Sequence, residues 1–155
     1  MQRIRRLGPG DEPLLAELNL RDAEFGLSAD GGALEPLAPS DARALLADRD
    51  VLLWAAEDDL GPAGFLLALT LPLRHAPGRE LLLYEIGVRR DVRRQGIGRA
   101  LCGRMRDLMR EKGIETVWVL ADNPVAADFY AAMGFRRKSG MQAYMEMEVP
   151  ASGPC

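Results

Sequence analysis

Glu85-Ile86-Gly87-Val88-Arg89-Arg90-Asp91-Val92-Arg93-Arg94-Gln95-Gly96-Ile97-Gly98-Arg99-Ala100-Leu101 changes its pattern halfway along. Leu81 to Val88 reads as a strand and Arg89 to Gln95 as a basic turn. From Gly96 to Lys112 the apolar residues Ile97, Leu101, Met105, Leu108 and Met109 recur at helical spacing, and Gly113 ends the helix. The first N–H groups of a helix have no partner inside it, and the helix dipole makes that end positive. Gly96 and Gly98 remove the Cβ atoms that would hold an anion off, while Arg93, Arg94 and Arg99 add charge at the same end. The passage therefore predicts a phosphate-binding turn built from Arg93, Arg94, Gln95, Gly96, Ile97, Gly98 and Arg99. It is not a P-loop, which ends in Gly-Lys-Ser/Thr, nor a dinucleotide fingerprint, which needs a small residue where Leu101 stands.

Working outward from this turn, three strands precede it. They are Val51 to Glu57, Ala63 to Leu71 and Leu81 to Val88, joined by Asp58-Asp59-Leu60-Gly61 and by the loop Pro72 to Gly78. Such short connections favour an antiparallel meander. Upstream, Arg3 to Leu7 alternates as a strand and Asp11 caps a helix with Pro13 in its first turn. The Gly/Ala/Pro-rich residues 26–39 read as a loop, and Ser40 caps a helix from Asp41 to Ala47. Downstream, Thr116 to Leu120 is a buried strand. Asn123 caps a helix with Pro124 at its first position and Gly134 beyond its end, and a last strand covers Gln142 to Val149. The order β-α-α-β-β-β-α-β-α-β predicts one mixed α/β domain over residues 1–150, with a flexible tail at 151–155.

Charge is unevenly spread. Residues 1–88 carry 8 basic and 15 acidic side chains, while residues 89–112 carry 9 basic and 3 acidic. A short positive block in an acidic body suits an anionic cofactor at the block and a cationic substrate elsewhere; it also suits a merely solvated helix face. An acidic body with few aromatics argues against nucleic acid. The most apolar run, Gly64 to Leu71, stops at Pro72, far short of the roughly 20 residues of a spanning helix. No apolar run follows the charges of Met1 to Arg6, so no signal peptide is expected and a cytoplasmic protein is the default. Cys102 and Cys155 form no disulfide framework, and no Cys/His spacing points to a metal.

The turn matches Q/R-x-x-G-x-G/A at Arg93, Gly96 and Gly98. A strand ends just before it at Tyr84 to Val88, and Asn123, Tyr130, Gly134 and Phe135 follow in order. Over about residues 50–148 the chain resembles the GNAT superfamily of N-acetyltransferases. Within it the chain is most similar to the GNAT-type aminoglycoside 3-N-acetyltransferases, an antibiotic-resistance class. That likeness rests on Glu24-Phe25-Gly26, Leu71-Pro72, Tyr84-Glu85, Arg93 to Ile97, and the paired acids Glu146 and Glu148. The sequence departs from that subgroup at Leu120 to Pro124, where the subgroup has a longer acidic loop. The resemblance implies acetyl-CoA as cofactor, held by the turn, by backbone of Ile86, Gly87 and Val88, and by Asn123, Ala126 and Tyr130. It also implies acetylation of a small cationic amine, with aminoglycosides the leading acceptors, and a homodimer. A protein or peptide N-acetyltransferase and a non-catalytic CoA-binding sensor are the alternatives.

Two side chains stand out as catalytic candidates. Glu85 would share a strand face with Leu81, Leu83 and Gly87 if the strand alternates, an odd place for a carboxylate unless a cleft opens there. Gly87 marks a bulge or a close backbone approach nearby. Glu85 is thus a general base or a functionless edge carboxylate. Tyr130 lies on one helix face with Ala126, Phe129 and Met133, as a core ring or, as the resemblance implies, a general acid toward the leaving thiolate. Glu80 is a second candidate base, and His75 is either a solvated loop residue or an aid to proton transfer. Glu24, Glu80, Glu146 and Glu148 are expected to bind the cationic substrate, alongside Asp22, Asp30 and Glu35. No histidine is near Cys102 in sequence, so a cysteine nucleophile is not expected.

Overall fold

A computed structural model describes residues 2–27, 31–138 and 145–147. Five strands, β1 (Arg3–Arg6), β2 (Val51–Asp58), β3 (Gly61–Pro72), β4 (Arg79–Val88) and β5 (Val117–Trp118), form one sheet in sequence order. The first four run antiparallel and β5 joins β4 in parallel. The predicted mixed, mainly antiparallel α/β fold is therefore observed, with helices on both faces. Of the predicted last strand, only residues 145–147 are described and they are not part of the sheet; the rest of it, Glu148, Asp30 and the tail 151–155 lie outside the described residues.

Period-2 alternation makes both faces of the central strands apolar. Leu52, Trp54, Ala56, Leu66, Ala68, Leu81 and Leu83 face α4 (Ile97–Lys112), which contributes Ile97, Leu101, Cys102, Met105 and Met109. Leu53, Ala55 and Phe65 face the N-terminal helices α1 (Glu12–Leu20), α2 (Asp22–Phe25) and α3 (Pro39–Ala47). Helix α5 (Pro124–Ala132) rests Phe129 and Tyr130 on the edge of the α4 core.

Three local readings change. Helix α3 begins at Pro39, so Ser40 sits inside its first turn and gives no side-chain cap. Asp11 stands at the start of α1, but its carboxylate accepts from Gly8 N–H at 2.9 Å and Arg5 Nη1 at 2.7 Å instead of capping the helix. Before the expected loop at 26–39 stands a further short helix, α2, which the sequence reading does not distinguish; its C-cap Gly26 is left-handed at φ 71°.

The decisive irregularity is in β4. Ala68 pairs with Leu83 and Leu67 with Glu85, which leaves Tyr84 as the extra residue of a β-bulge. Beyond it, strand alternation restarts one residue out of phase. Ile86 and Val88 join Leu81 and Leu83 on the α4 face, while Glu85 and Gly87 lie opposite Leu67 and Phe65 on the α1–α3 face. Glu85 therefore does not share a face with Leu81 and Leu83, as unbroken alternation would have it.

Candidate active site

β5 pairs with β4 only at Leu81 and Leu82. From the bulge to Val88 the β5-facing edge of β4 has no partner strand among the described residues, and β4 and β5 part there. Arg89 N–H donates to Ala63 O at 2.9 Å, toward β3. Because backbone groups alternate along a strand, Gly87 also faces β3, and the N–H and C=O groups of Ile86 and Val88 face the split. Gly87 contributes by lacking a side chain. A Cβ there would stand 2.8 Å from a Phe65 ring carbon and 3.0 Å from Phe25 Cβ, so the glycine lets α2 lie against the strand. The predicted close backbone approach is present.

The strand leads through a short 3-10 turn at Arg90–Val92 into the glycine turn. Arg94 is left-handed at φ 62°, the one non-glycine residue with positive φ among the described residues, and Gly96 is left-handed at φ 87°. An arginine held there costs on the order of 1–3 kcal/mol. Left-handed residues placed this close turn successive N–H groups into one concavity, which suits an anion. Gly96 is also the N-cap of α4, with no side-chain cap and no acid in the first turn, and a Cβ there would meet nothing within 4 Å. Gly98 serves packing: its Cβ would fall 3.0 Å from Phe129, so its absence lets α5 close on the head of α4. Ile97 is buried and offers only its backbone; Arg94, Gln95 and Arg99 are exposed beside the concavity.

Behind the turn stands Arg89, only 4% exposed. It donates to Asp58 at 2.6 and 3.2 Å, to Asp91 at 2.7 and 3.2 Å, and to Pro62 O at 3.1 Å. The two carboxylates hold its guanidinium pKa far up, and Arg89 in turn holds Asp58 and Asp91 below the usual carboxylate range. This residue ties the β2–β3 hairpin to the segment feeding the turn. Arg89→Met is expected to cost about 1–3 kcal/mol, because it leaves the buried Pro62 carbonyl and the Asp58 carboxylate, 19% exposed, without their donor. Urea unfolding checks this; an unchanged midpoint would make the network dispensable.

Glu85 sits where the split opens. The residue is exposed to solvent, yet partial desolvation by its surroundings lifts its pKa above the ordinary 4.5, and the charge of Asp22 on α2 adds to the rise. Asp22, only 7% exposed, is one helical turn before Phe25, whose ring packs edge-on against Phe65 at 5.3 Å. Glu80 shares the face of Glu85 but lies opposite Leu71, four residues along β3 from Leu67, or roughly 13 Å away. Glu24 turns elsewhere and is paired with Arg21 at 2.8 Å. Glu146 is exposed, in the segment 145–147.

Across the sheet, α5 is fixed by Asn123, whose side chain accepts from Ala126 N–H at 2.9 Å. Its Tyr130 contacts Phe129 and Phe135 edge-on at 5.4 and 5.5 Å. Burial, first of all, pushes its phenol up to about 12, so it keeps its proton throughout the neutral range. Cys102 is buried and its thiol is pushed up to about 11, which leaves too little thiolate for a nucleophile near neutrality. Sequence reasoning gave Asp22 only a place in a general acidic wall; nothing local marks it as the acid whose charge reaches Glu85.

The family model described as the acetyltransferase (GNAT) family matches residues 16–135. The [ribosomal protein bS18]-alanine N-acetyltransferase of Escherichia coli (strain K12) is 36% identical over 67 residues, which cover 42% of this chain and 45% of that protein. The aligned part is thus less than half the length of the curated relatives it matches. Among solved structures, an aminoglycoside acetyltransferase, meta-AAC0020 from an uncultured soil metagenomic sample, superposes with TM-score 0.79 at 24% identity, covering 95% of this chain and 97% of that one. A ribosomal-protein-alanine N-acetyltransferase from Brucella melitensis biovar Abortus 2308 gives 0.68 at 21%, covering 95% and 99%. At such identities the structural likeness speaks to the fold.

Proposed function

This chain belongs to the GNAT family of acetyltransferases, and on that footing we propose that it moves an acetyl group from acetyl-CoA to a primary amine of a small cationic substrate, with aminoglycosides the leading acceptors. The observation that carries this reading is the juxtaposition of an uncapped helix head with the β4 edge at Ile86 and Val88, which has no partner strand among the described residues. Phosphates fit the first; an extended chain that needs backbone partners fits the second. The N–H groups of Gln95 to Arg99 would hold the pyrophosphate, and Ile86 and Val88 the arm leading to the thioester. When bound, acetyl-CoA supplies the acetyl group in activated form.

The protein's own work is on protons. A substrate amine with a pKa of about 10.4 is only about 0.04% neutral at pH 7, and deprotonating it there costs roughly 4.6 kcal/mol. Glu85, with its raised pKa, accepts that proton directly or through a water as the nitrogen attacks. Val88 N–H orients and polarises the carbonyl. Tyr130 hands its proton to the departing sulfur. Glu85 belongs to the α1–α3 face and Tyr130 to the α4 side, so base and acid approach the split from opposite faces. Asp22, Glu80 and Glu85 make the first of these faces acidic, which favours a polycationic acceptor.

Tyr130→Phe keeps the ring contacts and removes the donor. It should lower kcat by about 10²-fold, at the low end of the range of general acid catalysis, and leave acetyl-CoA affinity unchanged. A kcat within twofold would reduce Tyr130 to packing. The acceptor is tested by thiol release from acetyl-CoA against aminoglycosides, polyamines and peptides beginning with alanine. Turnover with aminoglycosides or polyamines is expected. Preference for the peptide would overturn the acceptor reading, and CoA binding without turnover on any amine would favour a sensor.

A further inference from the structure

Arg93 heads the glycine turn, and its sequence position predicts a positive charge for the pyrophosphate. Its side chain leads away from that task. Nε donates to Val88 O at 3.0 Å and Nη2 to Phe25 O at 2.7 Å. Val88 ends β4 at the split, and Phe25 ends α2. Gly26, the next residue, is left-handed, and a Cβ on it would stand 3.1 Å from Arg93 Nη2, with Arg90 Nη2 at 3.4 Å. The glycine leaves the space in which the guanidinium reaches the Phe25 carbonyl. Helix α2 spans only four residues, too short to hold itself by its own hydrogen bonds. It is held by Phe25 on Phe65 and Gly87, by Arg21, which pairs with Glu24 and donates to Leu60 O, and by this guanidinium. The same helix carries Asp22, which acts on Glu85.

We infer that the Arg93 side chain is a positioning residue for the acceptor side of the site, coupling the coenzyme turn to α2 through the carbonyls of Val88 and Phe25. Its backbone belongs to the turn; its guanidinium belongs to the acceptor wall. Fixing the turn therefore fixes α2, whose Phe25 packs on Gly87, two residues from Glu85 on the same strand face. This rests on the functional reading above, and its test includes a readout that needs no acceptor.

Hydrogen exchange of the α2 amides in the whole protein, with and without saturating CoA, is that readout. CoA should slow exchange at Glu24 and Gly26 at least fivefold in the unaltered protein and less than twofold in Arg93→Ala. Kinetically, Arg93→Ala should raise the acceptor KM at least tenfold while the acetyl-CoA Kd moves less than threefold. Arg93→Lys, which can reach only one carbonyl, should fall between. Gly26→Ala disturbs the same contact from the far side without touching the turn, and should raise acceptor KM in the same direction. A tenfold loss of acetyl-CoA affinity in Arg93→Ala with unchanged acceptor KM would overturn the inference and restore Arg93 as a phosphate ligand. Equal exchange with and without CoA would overturn it too, although CoA still binds. Failure of the unaltered protein to bind CoA would instead bring down the functional reading, and the coupling with it.

Discussion

Replacing Gly96 with aspartate should abolish useful acetyl-CoA binding while leaving the fold intact. The position is left-handed at φ 87°, which aspartate tolerates better than most side chains, and a Cβ there meets nothing within 4 Å. As the N-cap of α4, an aspartate would complement the helix dipole. The same carboxylate would stand where the pyrophosphate must come. At about 6 Å and an effective dielectric near 20, two unit charges repel by about 3 kcal/mol, so affinity should fall at least a hundredfold. Gly96→Asn has the same shape without the charge and should bind within about tenfold of the unaltered protein. Calorimetric titration of both variants, with thermal melts alongside, makes the comparison. An aspartate variant that binds acetyl-CoA normally would remove the turn from the site.

The second large effect is expected at Glu85. Glu85→Gln should lower kcat/KM by about 10²–10³-fold, with acetyl-CoA affinity preserved. A general base works ionised, so the rate should rise with pH through its pKa. Partial desolvation and Asp22 raise that pKa, so the acid limb of the profile should lie above the ordinary glutamate value of 4.5. Glutamine cannot titrate, and the limb should disappear with it. Retained full activity at pH 7, or an unchanged acid limb, would rule Glu85 out as the base.

Much of this molecule is legible in its sequence, and the boundary between what is and what is not has physical causes. Gly96 to Gly113 announces its helix because buried residues recur at helical spacing between two glycines that fit its ends. Asn123 with Pro124 announces the next one by the chemistry of helix starts. The bulge at Tyr84 has no such signal, since Tyr84-Glu85 continues a run that any strand accommodates; only pairing with β3 shows that one residue is extra. The consequence is large, for it moves Glu85 to the other face of the sheet. Helix α2 is hidden for a related reason. Its few residues depend on the space left by Gly87, 62 residues away by number in the chain. Arg93 shows the same limit: its sequence position tells that it starts the turn, while its side chain is directed by a carbonyl on α2.

The central claim is that the turn at Gln95 to Arg99 and the open edge at Ile86 and Val88 form one acetyl-CoA site. Amide chemical shifts of ¹⁵N-labelled protein during titration with CoA test it directly. The largest changes should fall on Gln95 to Arg99 and on Ile86 and Val88, saturating together with a single Kd. Changes confined to other regions, with these amides unmoved, would contradict the claim.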